Sequence, residues 1–188
     1  MASPQKLTNL QVLRGLAALA VVVHHVKSKG TTYGFHLNGL DPLAVLGPAG
    51  VDLFFVLSGF IMVYTQWYNP RNALDFLKNR LMRVVPLYWI LTAFIITLLL
   101  LVPAVFRELE FTPLRALASF FFTSTALYGE EPYLYVGWTL EFEMLFYLLF
   151  GVSLFIAKES YRIPAVILTL AVLQLGAGTN PIIYEFVF

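Results

Sequence analysis

The chain has 188 residues, of which 59% are hydrophobic, 16% aromatic and 12% charged, with a mean hydropathy of +0.77. A soluble domain carries about 25% charged residues, so this composition excludes an ordinary water-soluble globule and points to lipid as the solvent. Twelve Lys and Arg against eleven Asp and Glu leave a net charge of +1, no basic footprint for nucleic acid, and the lack of cysteine excludes disulfides, thiolate metal sites and a Cys nucleophile.

At about 20 apolar residues per span plus loops, the length has room for roughly five to seven helices. The first is predicted over about Leu10 to Val26. Lys6 precedes its apolar core (GLAALAVVV), but Arg14 adjoins that core, His24 and His25 follow it, and no small-x-small cleavage site stands between the core and Lys27. The stretch therefore reads as a retained helix rather than a secretory signal. Arg14 and His25 are eleven residues apart, about 20° beyond three full turns with a rise of roughly 16 Å, so they share one stripe. His24 is rotated about 80° the other way. Two readings fit: Arg14 snorkels and the histidines mark an interface, or the imidazole serves as a proton acceptor near neutral pH.

The second span, Gly47 to Tyr68, carries only Asp52 as a charge and ends in Tyr64, Trp67 and Tyr68, aromatics suited to a membrane interface. Asp52 near the helix start suits the helix dipole, and Ser58–Gly59 suits a close helix contact. The connection that follows holds Arg71, Lys78, Arg80 and Arg83 against Asp75, which predicts that it and the N-terminus are cytoplasmic, against a moderate counterweight from Lys27 and Lys29. Arg80 and Arg83, three apart, are neighbours on one helical face. They fit a topogenic cluster or a bidentate grip on a phosphorylated ligand.

The third span is the uncharged run Val84 to Phe106. The fourth segment, Ala116 to Tyr128, is too short to cross comfortably and reads as re-entrant, tilted or extended towards Leu114. The fifth, about Pro132 to Ala157, contains Glu141 and Glu143, which a helix separates by about 200°, so one faces the interior and the other an interface or loop. A sixth run, Ile163 to about Leu175, is broken by Gly176, Gly178, Asn180 and Pro181, and NPIIYEFVF opens a seventh. The predicted fold is an all-α polytopic transmembrane helix bundle of about six spans plus the start of a seventh, in a single domain over 1–188.

Four patterns stand in one order: LRGLAALAVVVHH with Arg14 and His25, then GVDLFFVLSGF, then RLMRVVPLYW, then GWTLEFEMLFYLLF. Together they resemble the acyltransferase-3 family of integral membrane acyltransferases, especially its exopolysaccharide-modifying branch, over essentially all of residues 7 to 188. The resemblance implies a bundle of about ten helices, so this chain reads as the N-terminal part of a C-terminally incomplete domain. It also implies transfer of an acyl group, often acetyl from acetyl-CoA, to a hydroxyl of a surface glycan or lipid-linked sugar. Arg14 and His25 match the family's first-helix pair, Arg80 and Arg83 its cytoplasmic RxxR, and Glu143 rather than Glu141 its acidic position; Trp138, Thr139, Phe146 and Tyr147 fill neighbouring signature positions.

The implied site is catalytic His25, Arg14 and Glu143, with Arg80 and Arg83 on the phosphates of acyl-CoA and no metal. His25 acts as general base or forms a transient acyl-histidine, and Glu143 orients the imidazole or stabilises its cation. The implied location is the bacterial inner membrane, multi-pass, with a cytoplasmic N-terminus. A competing reading is a non-catalytic membrane component, a transporter-like half-bundle or an export scaffold, completed as a homodimer; a third is an inactive fragment.

Overall fold

The computed structural model describes residues 8–32, 34, 39, 45–106, 109–125, 129–156 and 161–176. Their regular structure is helical: α1 Thr8–Thr32, α2 Gly47–Tyr68, α3 Ala73–Leu101, α4 Pro113–Phe120, α5 Trp138–Ser153 and α6 Arg162–Gly176, with 3-10 turns at Pro103–Val105 and Tyr135–Gly137. The predicted all-α class holds. Four stretches are long and apolar enough to cross a membrane: Thr8–Ser28, Gly47–Tyr68, Ala73–Leu101 and Tyr135–Ser153. At 1.5 Å per residue α6 reaches only about 22 Å, short of a hydrocarbon layer of about 30 Å. Lys6 and the predicted opening of a seventh helix lie outside the described residues.

The chain divides into two compact units, Met1–Pro70 and Arg71–Val187. In the first, α1 and α2 pass each other in antiparallel register. A Cβ on Gly50 would stand 2.9 Å from the Ala17 carbonyl oxygen and 3.0 Å from Val21, while one on Gly47 would collide with Cβ of His24. Small residues let the two backbones approach closely, which is how helices associate where lipid removes the hydrophobic drive. Across α1 from this seam, Leu16, Leu19, Val22 and Val26 are each more than half exposed, as a lipid-facing surface requires. Replacing a helical Gly with Ala normally stabilises by roughly 1 kcal/mol, but here the clash involves a Cβ that cannot swing away. Gly47→Ala is therefore expected to destabilise the α1–α2 hairpin by about 1–3 kcal/mol, read as a lower melting temperature in detergent; an unchanged or higher value would contradict the seam.

The observed start of α2 alters the account of Asp52. The helix begins with Gly47 and Pro48, and its first turn holds no acidic residue. Asp52 lies beyond that turn, where the dipole has faded, and is a half-buried carboxylate inside a candidate span rather than a cap.

In the second unit α3 starts eleven residues before the predicted third span. Asn72 caps it: its side-chain oxygen accepts the Asp75 N–H at 2.8 Å, and its amide donates to the Asp75 carboxylate at 2.7 Å. The first bond satisfies one backbone donor that a helix start leaves orphaned, and the second holds the Asn72 side chain in place to accept it. Lys78, Arg80 and Arg83 thus belong to α3, and the connection keeps only Arg71. Its 29 residues span about 44 Å, so roughly the first 14 Å overhang the hydrocarbon and bring Arg80 and Arg83 to its edge. The helix ends at Leu101 rather than at Phe106 because Pro103 follows and disfavours helical backbone before it.

The fourth segment is an eight-residue helix, capped by Thr112 with Pro113 in its first turn, and too short to cross. It closes with Thr123 N–H on the Ala118 carbonyl at 3.0 Å and Phe122 N–H on Ser119 at 3.3 Å, a Schellman arrangement. Phe122, with φ of 58°, holds the left-handed position where glycine is usual, and its ring stacks on Tyr88 at 4.4 Å. Of the predicted segment, residues 126–128 lie outside the described residues. Helix α5 packs against both α3 and α6, with Leu77 only 2.9 Å from where a Cβ on Gly151 would stand.

Candidate functional site

The first unit holds Arg14 and His25, both half-buried on α1. Ala17, Val21 and His24, which meet α2, lie about 20–80° to one side of Arg14, so the Arg14 and His25 stripe runs along the edge of the seam. The two histidines therefore differ in surroundings. The first abuts Gly47, and the second stands edge-on to it with ring centroids 5.6 Å apart.

The second unit brings Arg80 together with the acidic signature of α5. The Arg80 guanidinium carbon lies 5.5 Å from the Phe76 ring centroid and 5.6 Å from that of Tyr147. Within α5 the Tyr147 hydroxyl donates a hydrogen bond to the Glu143 carboxylate one turn earlier. Arg80 also lies within the electrostatic reach of Glu143 and of Arg83. Cation, two rings and carboxylate thus form one partly desolvated cluster, where such contacts are stronger than at an open surface. Arg83 is exposed whereas Arg80 is half-buried, so the two arginines are not equivalent. An exposed guanidinium keeps its planar fork free for a phosphate.

Glu141 is the buried member of the acidic pair, 6% exposed. Its Oε1 accepts the Ser124 N–H at 3.1 Å and its Oε2 the Thr125 N–H at 2.9 Å. The expectation that the two carboxylates face different surroundings holds, but neither is simply at an interface: each is held by a different part of the second unit. Sequence reasoning passed over the anchoring of Glu141 because its partners lie 16 and 17 residues upstream. At the start of α5, Thr139 donates to the Val136 carbonyl at 3.1 Å and Trp138 meets Phe142 edge-on at 6.4 Å. Among the described residues no group of three His, Cys, Asp or Glu is placed to hold a metal ion.

Residues 7–188 match the acyltransferase-3 family, described as an acyltransferase domain. The chain is 39% identical over 157 residues to exopolysaccharide production protein ExoZ of Rhizobium meliloti (strain 1021), covering 76% of this chain and 49% of that protein. It is 25% identical over 203 residues to O-acetyltransferase OatA of Staphylococcus aureus (strain NCTC 8325 / PS 47), covering all of this chain and 31% of the relative. Peptidoglycan O-acetyltransferase OatA of Listeria monocytogenes is 26% identical over 177 residues, with 85% of this chain and 26% of the relative covered. The chain thus spans about half or less of the length of these relatives. No solved structure matches.

Proposed function

We propose, from the premise that this chain belongs to the acyltransferase-3 family, that the intact protein is a membrane O-acyltransferase that moves an acetyl group from acetyl-CoA to a hydroxyl of an exopolysaccharide or related surface glycan. The observation that carries the reading is the half-buried Arg14 and His25 stripe on a membrane-capable helix. Ionisable groups are costly there and mark function by default. The relatives named for O-acetylation and exopolysaccharide production support the reaction and the acceptor class.

In the proposed reaction the acceptor oxygen attacks the thioester carbonyl carbon while His25 takes the hydroxyl proton. The carbon–sulfur bond breaks, and His25 returns the proton to the departing thiolate, giving an ester and free CoA. Arg14, on the same stripe but roughly 16 Å along the helix, places or neutralises a polar group of a bound substrate away from the reacting carbonyl. Arg83 and Arg80, at the edge of the hydrocarbon, recognise the donor's phosphates, with Arg83 the more available. Glu143 is assigned the balancing carboxylate of Arg80 and Tyr147. The basic residues at the start of α3 support a bacterial inner-membrane protein with this end and the N-terminus in the cytoplasm, where acetyl-CoA resides.

Deleting the gene is expected to remove acetyl esters from the surface polysaccharide, read by mass spectrometry of purified glycan, and re-expression of the intact protein to restore them. Unchanged ester content with altered polysaccharide export would favour a scaffold or transport role instead.

A further inference from the structure

Glu141 is not part of the signature that the family resemblance carried over, yet it is the most deeply buried acidic or basic side chain among the described residues. Both of its oxygens are engaged, each by a different backbone N–H of one short turn. The turn is itself tied down. Ser119 Oγ lies 3.3 Å from Ser124 Oγ and accepts the Tyr133 N–H at 3.1 Å, while the Ser119 carbonyl accepts the Tyr88 hydroxyl of α3 at 3.0 Å. Tyr88 in turn abuts the entry to α5, 2.5 Å from where a Cβ on Gly137 would stand. Glu141 therefore fastens α5 to a buried polar knot that also holds α3.

The consequence is rotational. Groups about 6 Å from a helix axis move roughly 3 Å for a 30° turn of the helix, enough to break both Glu141 hydrogen bonds. Glu143 points about 200° away from Glu141 and meets Tyr147 and the field of Arg80. Holding Glu141 thus fixes where Glu143 points. We propose that Glu141 is a positioning residue that locks the rotation of α5 on the 119–125 turn and so presents Glu143 to Arg80. Its link to turnover rests on the proposed acyl transfer; its effect on helix rotation does not.

Two readouts on the intact protein test this. The first uses the Leu77→Cys and Gly151→Cys pair, which spans the α3–α5 seam at disulfide-compatible range in a stretch without cysteine. Glu141→Ala is expected to slow oxidative cross-linking of that pair by about tenfold, and Glu141→Gln, which keeps one carbonyl acceptor, by less. The second is a double-mutant cycle on acyl transfer. Glu141→Ala is expected to raise the donor KM by about tenfold with a smaller fall in kcat, because Arg80 loses the carboxylate that balances it, and to add nothing in a Glu143→Gln background. Should the Ala variant fail to accumulate, Glu141→Gln carries both arms with smaller changes in the same direction. Unaltered cross-linking, or KM increases that multiply in the double variant, would overturn the assignment. Normal cross-linking of the cysteine pair with Glu141 intact, together with no acyl transfer by the wild-type protein, would overturn the proposed function and leave the cross-linking arm to decide the rotational lock.

Discussion

His25→Ala in the intact protein is expected to lower acyl transfer by about 10²–10⁴-fold while leaving membrane insertion and melting temperature nearly unchanged. Removing the imidazole takes away the group that accepts the acceptor proton, and a half-buried ring at the edge of a seam contributes little packing. His24→Ala is the matched control. That ring belongs to the α1–α2 contact at Gly47, so its loss is expected to lower stability by about 1 kcal/mol with less than a tenfold effect on turnover. Equal losses of activity from both variants would remove the distinction between a chemical and a packing histidine. Measuring initial rates and melting curves on the same two preparations separates these outcomes.

The second large effect is an asymmetry within the arginine pair. Arg83 is exposed and its fork is available to a phosphate, so Arg83→Gln is expected to raise the donor KM by about 10–100-fold with kcat and stability preserved. Arg80→Gln removes a guanidinium lodged over Phe76 and Tyr147, next to the carboxylate that Tyr147 holds. It is expected to lower kcat and the melting temperature as well, because a partly desolvated carboxylate then loses a cation within its electrostatic reach. Steady-state kinetics over a range of acetyl-CoA concentrations read the split. Identical profiles for the two variants would contradict the division of roles, and a change in membrane orientation alone would favour the topogenic reading of both arginines.

The parts of the fold legible in the sequence are those governed by local rules. Gly47 to Tyr68 matches α2 at both ends, because a Gly-Pro start and an aromatic finish bracket an apolar run whose only charge is Asp52. The start of α3 was obscured by competing signals. The Asn72 and Asp75 cap is a local mark of a helix start, but four basic residues nearby read more readily as a loop, and only a helix longer than the hydrocarbon reconciles the two. That the fourth segment is too short to cross is legible in its length, but the end of α4 at Phe120 is not, because Phe122 holds a left-handed turn that sequence rules assign to glycine. At the candidate site, the angular separation of Glu141 and Glu143 follows from helix geometry, whereas the identity of the buried member depended on Ser124 and Thr125 from another segment. The role of His24 was likewise invisible without its neighbour Gly47 on α2.

Acyl transfer from a CoA thioester is read by reconstituting the purified intact protein alone in liposomes with [acetyl-¹⁴C]acetyl-CoA and de-O-acetylated exopolysaccharide. Alkali-labile label is expected on the glycan together with release of CoA in equal amount, both abolished by His25→Ala, as the proposed transfer requires. Label that stays on CoA in the presence of folded, correctly inserted protein, or transfer that persists undiminished without His25, would contradict it.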